Sequence, residues 1–165
     1  MDLGLRGRRA IVTGGSKGLG KAIAAELLAE GAAVAICSRH KAELDETAAE
    51  LAASGGSVTA LHCDVTDPGQ VESFIAAAAA ALGGTDILVN NAGAARPGRF
   101  AALTDDDWHG DIEVKLFSQI RCTRAARDQH QRRIRSVPGP GFPRLVGEPR
   151  VLPEPVQGAV HRARP

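Results

Sequence analysis

The chain has 165 residues, room for one domain and one core, and its 44% hydrophobic content suits a soluble globular protein. A formal net charge of +1 argues against a strongly basic nucleic-acid surface. That average conceals an asymmetry: residues 1–125 carry 12 Lys+Arg against 16 Asp+Glu, whereas residues 126–165 carry 8 Arg against 3 Asp+Glu. Seven of the nine prolines fall between Pro138 and Pro165, and every lysine lies at or before Lys115. The expected division is a folded unit over 1–125 and an irregular Arg/Pro/Gly-rich tail over 126–165.

Cys37, Cys63 and Cys122 have neither CxxC nor metal-ligand spacing, so no metal site is expected. They read as reduced thiols in or near the core of a cytoplasmic protein. The basic residues Arg6, Arg8 and Arg9 precede an apolar run that stops at Thr13-Gly14-Gly15, too short for a signal peptide or a membrane span.

In chain order, Ala10-Ile11-Val12 predicts a strand buried on both faces, followed by a tight turn. Leu19 to Glu30 predicts a helix, with Ile23, Leu27 and Leu28 at helical spacing and Gly31 closing it. Val34 to Cys37 is a second strand, Lys41 to Ala53 a helix, and Val58 to His62 a third strand. Asp67-Pro68 supplies an N-cap and a first-turn proline for a helix reaching about Leu82. Ile87-Leu88-Val89 is a fourth strand. Thr104 with Asp107 predicts a capping box, opening a helix through Trp108, Ile112, Leu116 and Ile120 to about Ala126. From about Arg127 the pattern stops, and the prolines and glycines beyond predict a disordered or poorly packed tail. Strands alternating with helices imply a parallel sheet of order 3-2-1-4.

The run Gly14-Gly15-Ser16-Lys17-Gly18-Leu19-Gly20 lies between a strand and a helix. Glycines there let the backbone turn tightly and approach a pyrophosphate seated on the helix N-terminus. No Gly-Lys-Ser/Thr closes the run, so a P-loop is disfavoured. Its spacing, Thr13-Gly14-x-x-x-Gly18-x-Gly20, resembles the cofactor turn of the short-chain dehydrogenase/reductase family. Asp64-Val65 after the third strand matches the family's adenine-contacting Asp. Asn90-Asn91-Ala92-Gly93 after the fourth matches its Asn-Asn-Ala-Gly motif, entered through Thr85-Asp86. The resemblance covers about residues 8–125. It implies a Rossmann-type doubly wound α/β sheet, here incomplete at about four strands. It implies an NAD(P)-dependent oxidoreductase acting on alcohols or carbonyls, and a homo-oligomeric parent. The cofactor-binding residues it implies are Thr13, Gly14, Ser16, Lys17, Gly18, Leu19, Gly20, Ser38, Arg39, Asp64, Val65, Asn91, Ala92 and Gly93.

An acidic residue after the second strand holds the ribose 2′-hydroxyl of NAD, and a basic one suits the 2′-phosphate of NADP. This chain has Ser38-Arg39 there, and Lys17 adds a second positive charge in the glycine turn. NADP(H) is therefore expected over NAD(H).

The family's proton transfer uses a Tyr with a Lys four residues later, a Ser about a dozen residues earlier and an Asn on the preceding helix. This chain has no tyrosine, and no Tyr-x-x-x-Lys can exist in it. The Asn position falls at Lys115, either a solvent-facing charge or the mark of a divergent branch. No catalytic residue is assigned. Three functions stay open: a fragment without turnover of its own, a non-catalytic dinucleotide-binding or interaction module, and a reductase using atypical residues such as Lys115 or Ser136.

A tail of this composition is what out-of-frame reading of GC-rich DNA gives. Read one nucleotide later, codons for Arg127 to Gln131 can encode V-I-N-I-S, similar to the family's fifth strand and its Ser. Codons for Glu154 to Arg164 can encode N-L-S-K-A-L-S-I-E-L-A, similar to its long catalytic helix. In that frame the Tyr and Lys positions fall over Leu145 and Pro149, which cannot encode them, so the intact parent is expected to lack the usual pair too. The coding DNA across codons 120–165 tests this.

Overall fold

Alternating apolar residues in the first two strands point to opposite sides of one sheet, and that alternation builds two core layers. The computed structural model describes residues 3–93 and 98–136, the last five by backbone alone. Strand β1 (Arg9–Thr13) pairs in parallel with β2 (Ala33–Ser38), and β2 with β3 (Val58–His62). Strand β4 (Ile87–Val89) pairs in parallel with the other side of β1, giving the order β3-β2-β1-β4. This is the expected Rossmann-like parallel sheet.

On one face Ala10, Val12, Val34 and Ile36 pack with Ala24, Leu27 and Leu28 of α1 (Gly18–Ala29) and Leu44 and Leu51 of α2 (Lys41–Ala53). On the other, Ile11, Ala35 and Cys37 pack with Val71, Phe74, Ile75 and Ala78 of α3 (Pro68–Leu82) and with Cys122 of the last helix. The α3 signals work as read: Asp67 Oδ1 accepts from the N–H groups of Gly69 and Gln70, and Gly83 closes the helix at φ +72°. All three cysteines are buried and free. No described helix is long and apolar enough to cross a membrane.

The last helical stretch departs from its reading twice. The expected single helix is α4 (Asp105–Ile112), a wider π turn over Glu113–Phe117 and then α5 (Ser118–Ser136). The Thr104–Asp107 capping box is present. The π turn changes the register, so the residues of α5 that reach the core layer are Cys122, Ala125 and Ala126, while Trp108, Ile112, Leu116 and Phe117 stay exposed. Helix α5 also runs past Arg127 to Ser136, correcting the expected end of regular structure near Ala126. The segment 127–136 holds neither Pro nor Gly, and its Arg and Gln residues extend a helix already nucleated. The expectations for the tail beyond 136 and for loop residues 94–97 lie outside the described residues.

Candidate functional site

The chain leaves β1 toward β2 and β3, then returns to place β4 on β1's other side. The loops after β1 and β4 therefore diverge at a switch point, where open α/β sheets bind ligands. There they line a groove of about 560 Å³, together with the ends of β2 and β3.

The turn after β1 is fastened to the turn after β4 by partly buried polar bonds. Asn91 donates from Nδ2 to the carbonyls of Thr13 and Gly14, at 3.0 Å each. The N–H groups of Asn91 and Ala92 donate to Thr13 Oγ1, which donates to the Val89 carbonyl. Gly20, in the first turn of α1, lies against this junction: a Cβ there would stand 2.2 Å from the Gly14 carbonyl oxygen and 2.4 Å from Asn91 Nδ2. Gly14 sits at φ +66°, where side chains are strained.

Three features of the groove bear on what it could hold. The α1 N-cap, Lys17, makes no side-chain cap bond and α1 has no acid in its own first turn, so its first-turn amides are left for a prospective anion. Gly14, Ser16, Lys17, Leu19 and Gly20 line it from the turn after β1 and the start of α1, and Asn91, Ala92 and Gly93 from the turn after β4. Ser38 and Arg39 line the end of β2, and Asp64 and Val65 the end of β3. Thus 12 of the 14 expected residues meet in one groove. Thr13 and Gly18 do not line it. Thr13 is buried and holds the two turns together, while Gly18 starts α1 at φ +56°.

Asp64 Oδ1 accepts from the N–H and hydroxyl of Thr66, and these bonds, with Arg39 nearby, hold its carboxyl below the usual range despite partial burial. Cys37 and Cys63 also line the groove. Hydrogen bonding to Cys63, with burial, pushes the Cys37 thiol well up, and burial pushes Cys122 up to about 11. The Cys37 and Cys122 thiols are therefore poor nucleophiles, whereas the hydrogen bond with Cys37 holds Cys63 below its ordinary value. Lys115 does not line the groove: its Nζ donates to Asp111 Oδ2 at 3.0 Å, one helical turn away, and the side chain is half exposed. Its neighbour Val114 lines the groove instead.

Sequence reasoning missed Thr66, Val114 and Arg121, whose Nη1 donates to the Thr66 carbonyl at 3.2 Å and ties α5 to the site. It also missed Glu43, whose carboxylate meets Ser16 and Lys17. The available signal was Glu43's place in the first turn of α2, the helix that opens next to the groove.

A family model described as short chain dehydrogenase matches residues 8–135, past the Ala126 limit read from the motifs. An indene-carboxyl-CoA reductase of Mycobacterium tuberculosis is 45% identical over 124 residues, which are 74% of this chain and 47% of that protein. A 3-oxoacyl-acyl-carrier-protein reductase of Salmonella typhimurium is 37% identical over 74% of this chain and 49% of its own length. Among solved structures, a short chain dehydrogenase from Burkholderia cenocepacia in complex with NADP superposes with a TM-score of 0.71 at 41% identity, covering 76% of this chain and 51% of that one. The chain spans about half the length of the relatives it matches. It belongs to the short-chain dehydrogenase family.

Proposed function

We propose that this chain binds the adenosine half of NADP(H) in preference to NAD(H), as the cofactor-binding half of an oxidoreductase interconverting alcohols and carbonyls. One observation carries the preference: Ser38 and Arg39 end β2 where an NAD site needs a carboxylate, and Lys17 lines the same end of the groove. The NADP complex of the Burkholderia cenocepacia relative supports it by likeness. When bound, the dinucleotide supplies the hydride. The chain's own residues bind and orient it through the Gly14–Gly20 backbone, the start of α1 and the wall formed by Asn91, Ala92 and Gly93.

The 165-residue chain by itself does not turn over a carbonyl in this reading. It holds no tyrosine to pass the proton, general acid–base help worth roughly 10²–10⁴-fold. Through Lys115, the atypical-reductase reading needs that side chain to leave Asp111 and reach a groove it does not line; the Ser136 side chain lies outside the described residues. The substrate beyond its carbonyl or alcohol class, a homo-oligomeric parent and a cytoplasmic setting complete the proposal, and nucleic acid and membrane are not among its partners.

Fluorescence titration with NADPH and NADH tests the binding claim. Arg39→Ala should weaken NADPH several-fold more than NADH, and equal weakening would refute the preference. Steady oxidation of NADPH with a carbonyl substrate by the purified chain would overturn the absence of turnover.

A further inference from the structure

The β2 end of the groove has no carboxylate in its own sequence, but one arrives from the first turn of α2. Glu43 Oε1 accepts from Lys17 Nζ at 3.0 Å, and Oε2 lies 3.4 Å from the Ser16 hydroxyl. Ser16 Oγ in turn stands 3.0 Å from Ser38 Oγ. Lys17, Ser16 and Ser38 all line the groove, so one carboxylate reaches Lys17 and Ser16 directly and Ser38 through Ser16 where the ribose would end. The Lys17 ammonium holds the Glu43 carboxyl below its usual range, so the group is ionised at neutral pH.

We propose that Glu43 is a specificity-determining residue: it holds Lys17 in an ion pair that a 2′-phosphate must open, and so moderates the preference for NADP(H). This rests on the assignment of the groove to a nicotinamide dinucleotide. A 2′-phosphate carries about two negative charges and competes with Glu43 for Lys17, while a 2′-hydroxyl makes no such demand. Glu43 therefore weakens the phosphorylated ligand selectively and leaves the other unaffected. The opposing arrangement has Glu43 accepting a hydrogen bond from the ribose hydroxyl, as the acid of an NAD site does.

The test uses the whole 165-residue chain and two probes, adenosine 2′,5′-bisphosphate and adenosine 5′-monophosphate, titrated calorimetrically. Glu43→Gln should tighten the bisphosphate about threefold, the scale of an exposed ion pair, with the monophosphate unchanged. In a Lys17→Met background the same substitution should have no effect. Equal change for both probes, no change, weaker monophosphate binding, or a gain that persists without Lys17 would each overturn the proposal. Glu43→Ala repeats the comparison should the Gln variant misfold. Arg39→Ala, run in parallel, separates the two claims: if it affects both probes alike, the NADP(H) reading fails, while the Glu43 comparison still decides this one.

Discussion

The sheet with its three flanking helices and the α4–α5 stretch are built on different principles. In the first, the turns after β1 and β4 are locked by four hydrogen bonds among Thr13, Gly14, Asn91 and Ala92, next to the buried strand β1. In the second, a π turn divides the helix, and Trp108, Ile112, Leu116 and Phe117 remain exposed. Cys122 is buried against the sheet, and Arg121 donates to the Thr66 carbonyl, so α5 is anchored by a narrow stripe and a few polar contacts. The contrast teaches that the groove is positioned by the polar lock rather than by the long helix. The apolar residues exposed on α4 and the π turn contribute little to the fold described here.

The largest effect should come from the lock. Gly20→Val drives a side chain into the Gly14 carbonyl and the Asn91 amide, a backbone group and a doubly bonded side chain that cannot yield cheaply. A loss of at least about 3 kcal/mol is expected, read by urea denaturation, with loss of NADPH binding. A stable, binding-competent variant would show that the two turns are not coupled as described.

An intermediate effect belongs to Asp86, at the start of β4. It accepts from the Arg9 N–H at 3.0 Å and Nε at 2.7 Å, and joins the two strands at the end away from the groove. Hydrogen bonding to Arg9 holds its carboxyl below the ordinary range. A carboxyl whose folded value is lowered stabilises the fold fully above the unfolded-chain value, about 3.9, and loses that contribution as pH falls through the folded value. Asp86→Asn should cost about 2 kcal/mol at pH 7, and the difference from the unmodified chain should shrink below about pH 4. Denaturation curves at several pH values check this, and a cost that is constant with pH would remove the charge from the explanation.

The smallest effect is expected on the exposed helix. Leu116→Ser should change stability by less than about 0.5 kcal/mol, measured by thermal or urea melts. A cost of several kcal/mol would place Leu116 in a buried contact and erase the comparison between the regions.

The sequence made the sheet legible because each strand is short, apolar and bounded by a turn or cap with its own chemistry. Asp67-Pro68 and Thr104 with Asp107 became the caps they resembled. The cofactor motifs placed 12 residues in one groove because strand order brings every strand's C-terminal end to the same edge. What stayed hidden depended on side-chain reach or on register. Glu43 lies on α2, 26 residues from its partner Lys17, and only the close packing of α1 and α2 brings them together. Thr13 looked like a ligand contact but turns inward to hold the β4 loop. The π turn leaves no mark in hydrophobic spacing, so the Trp108–Leu116 periodicity suggested one continuous face. Helix α5 passed the expected boundary because Arg and Gln sustain a helix without an apolar pattern to announce it.

Paired titration of the 165-residue chain with NADPH and NADH, with and without Arg39→Ala, decides whether the groove prefers the phosphorylated cofactor. NADPH should bind more tightly, with the advantage largely lost in Arg39→Ala while NADH is nearly unchanged. Equal affinities for the two cofactors in the unmodified chain, or equal losses in the variant, would contradict that preference.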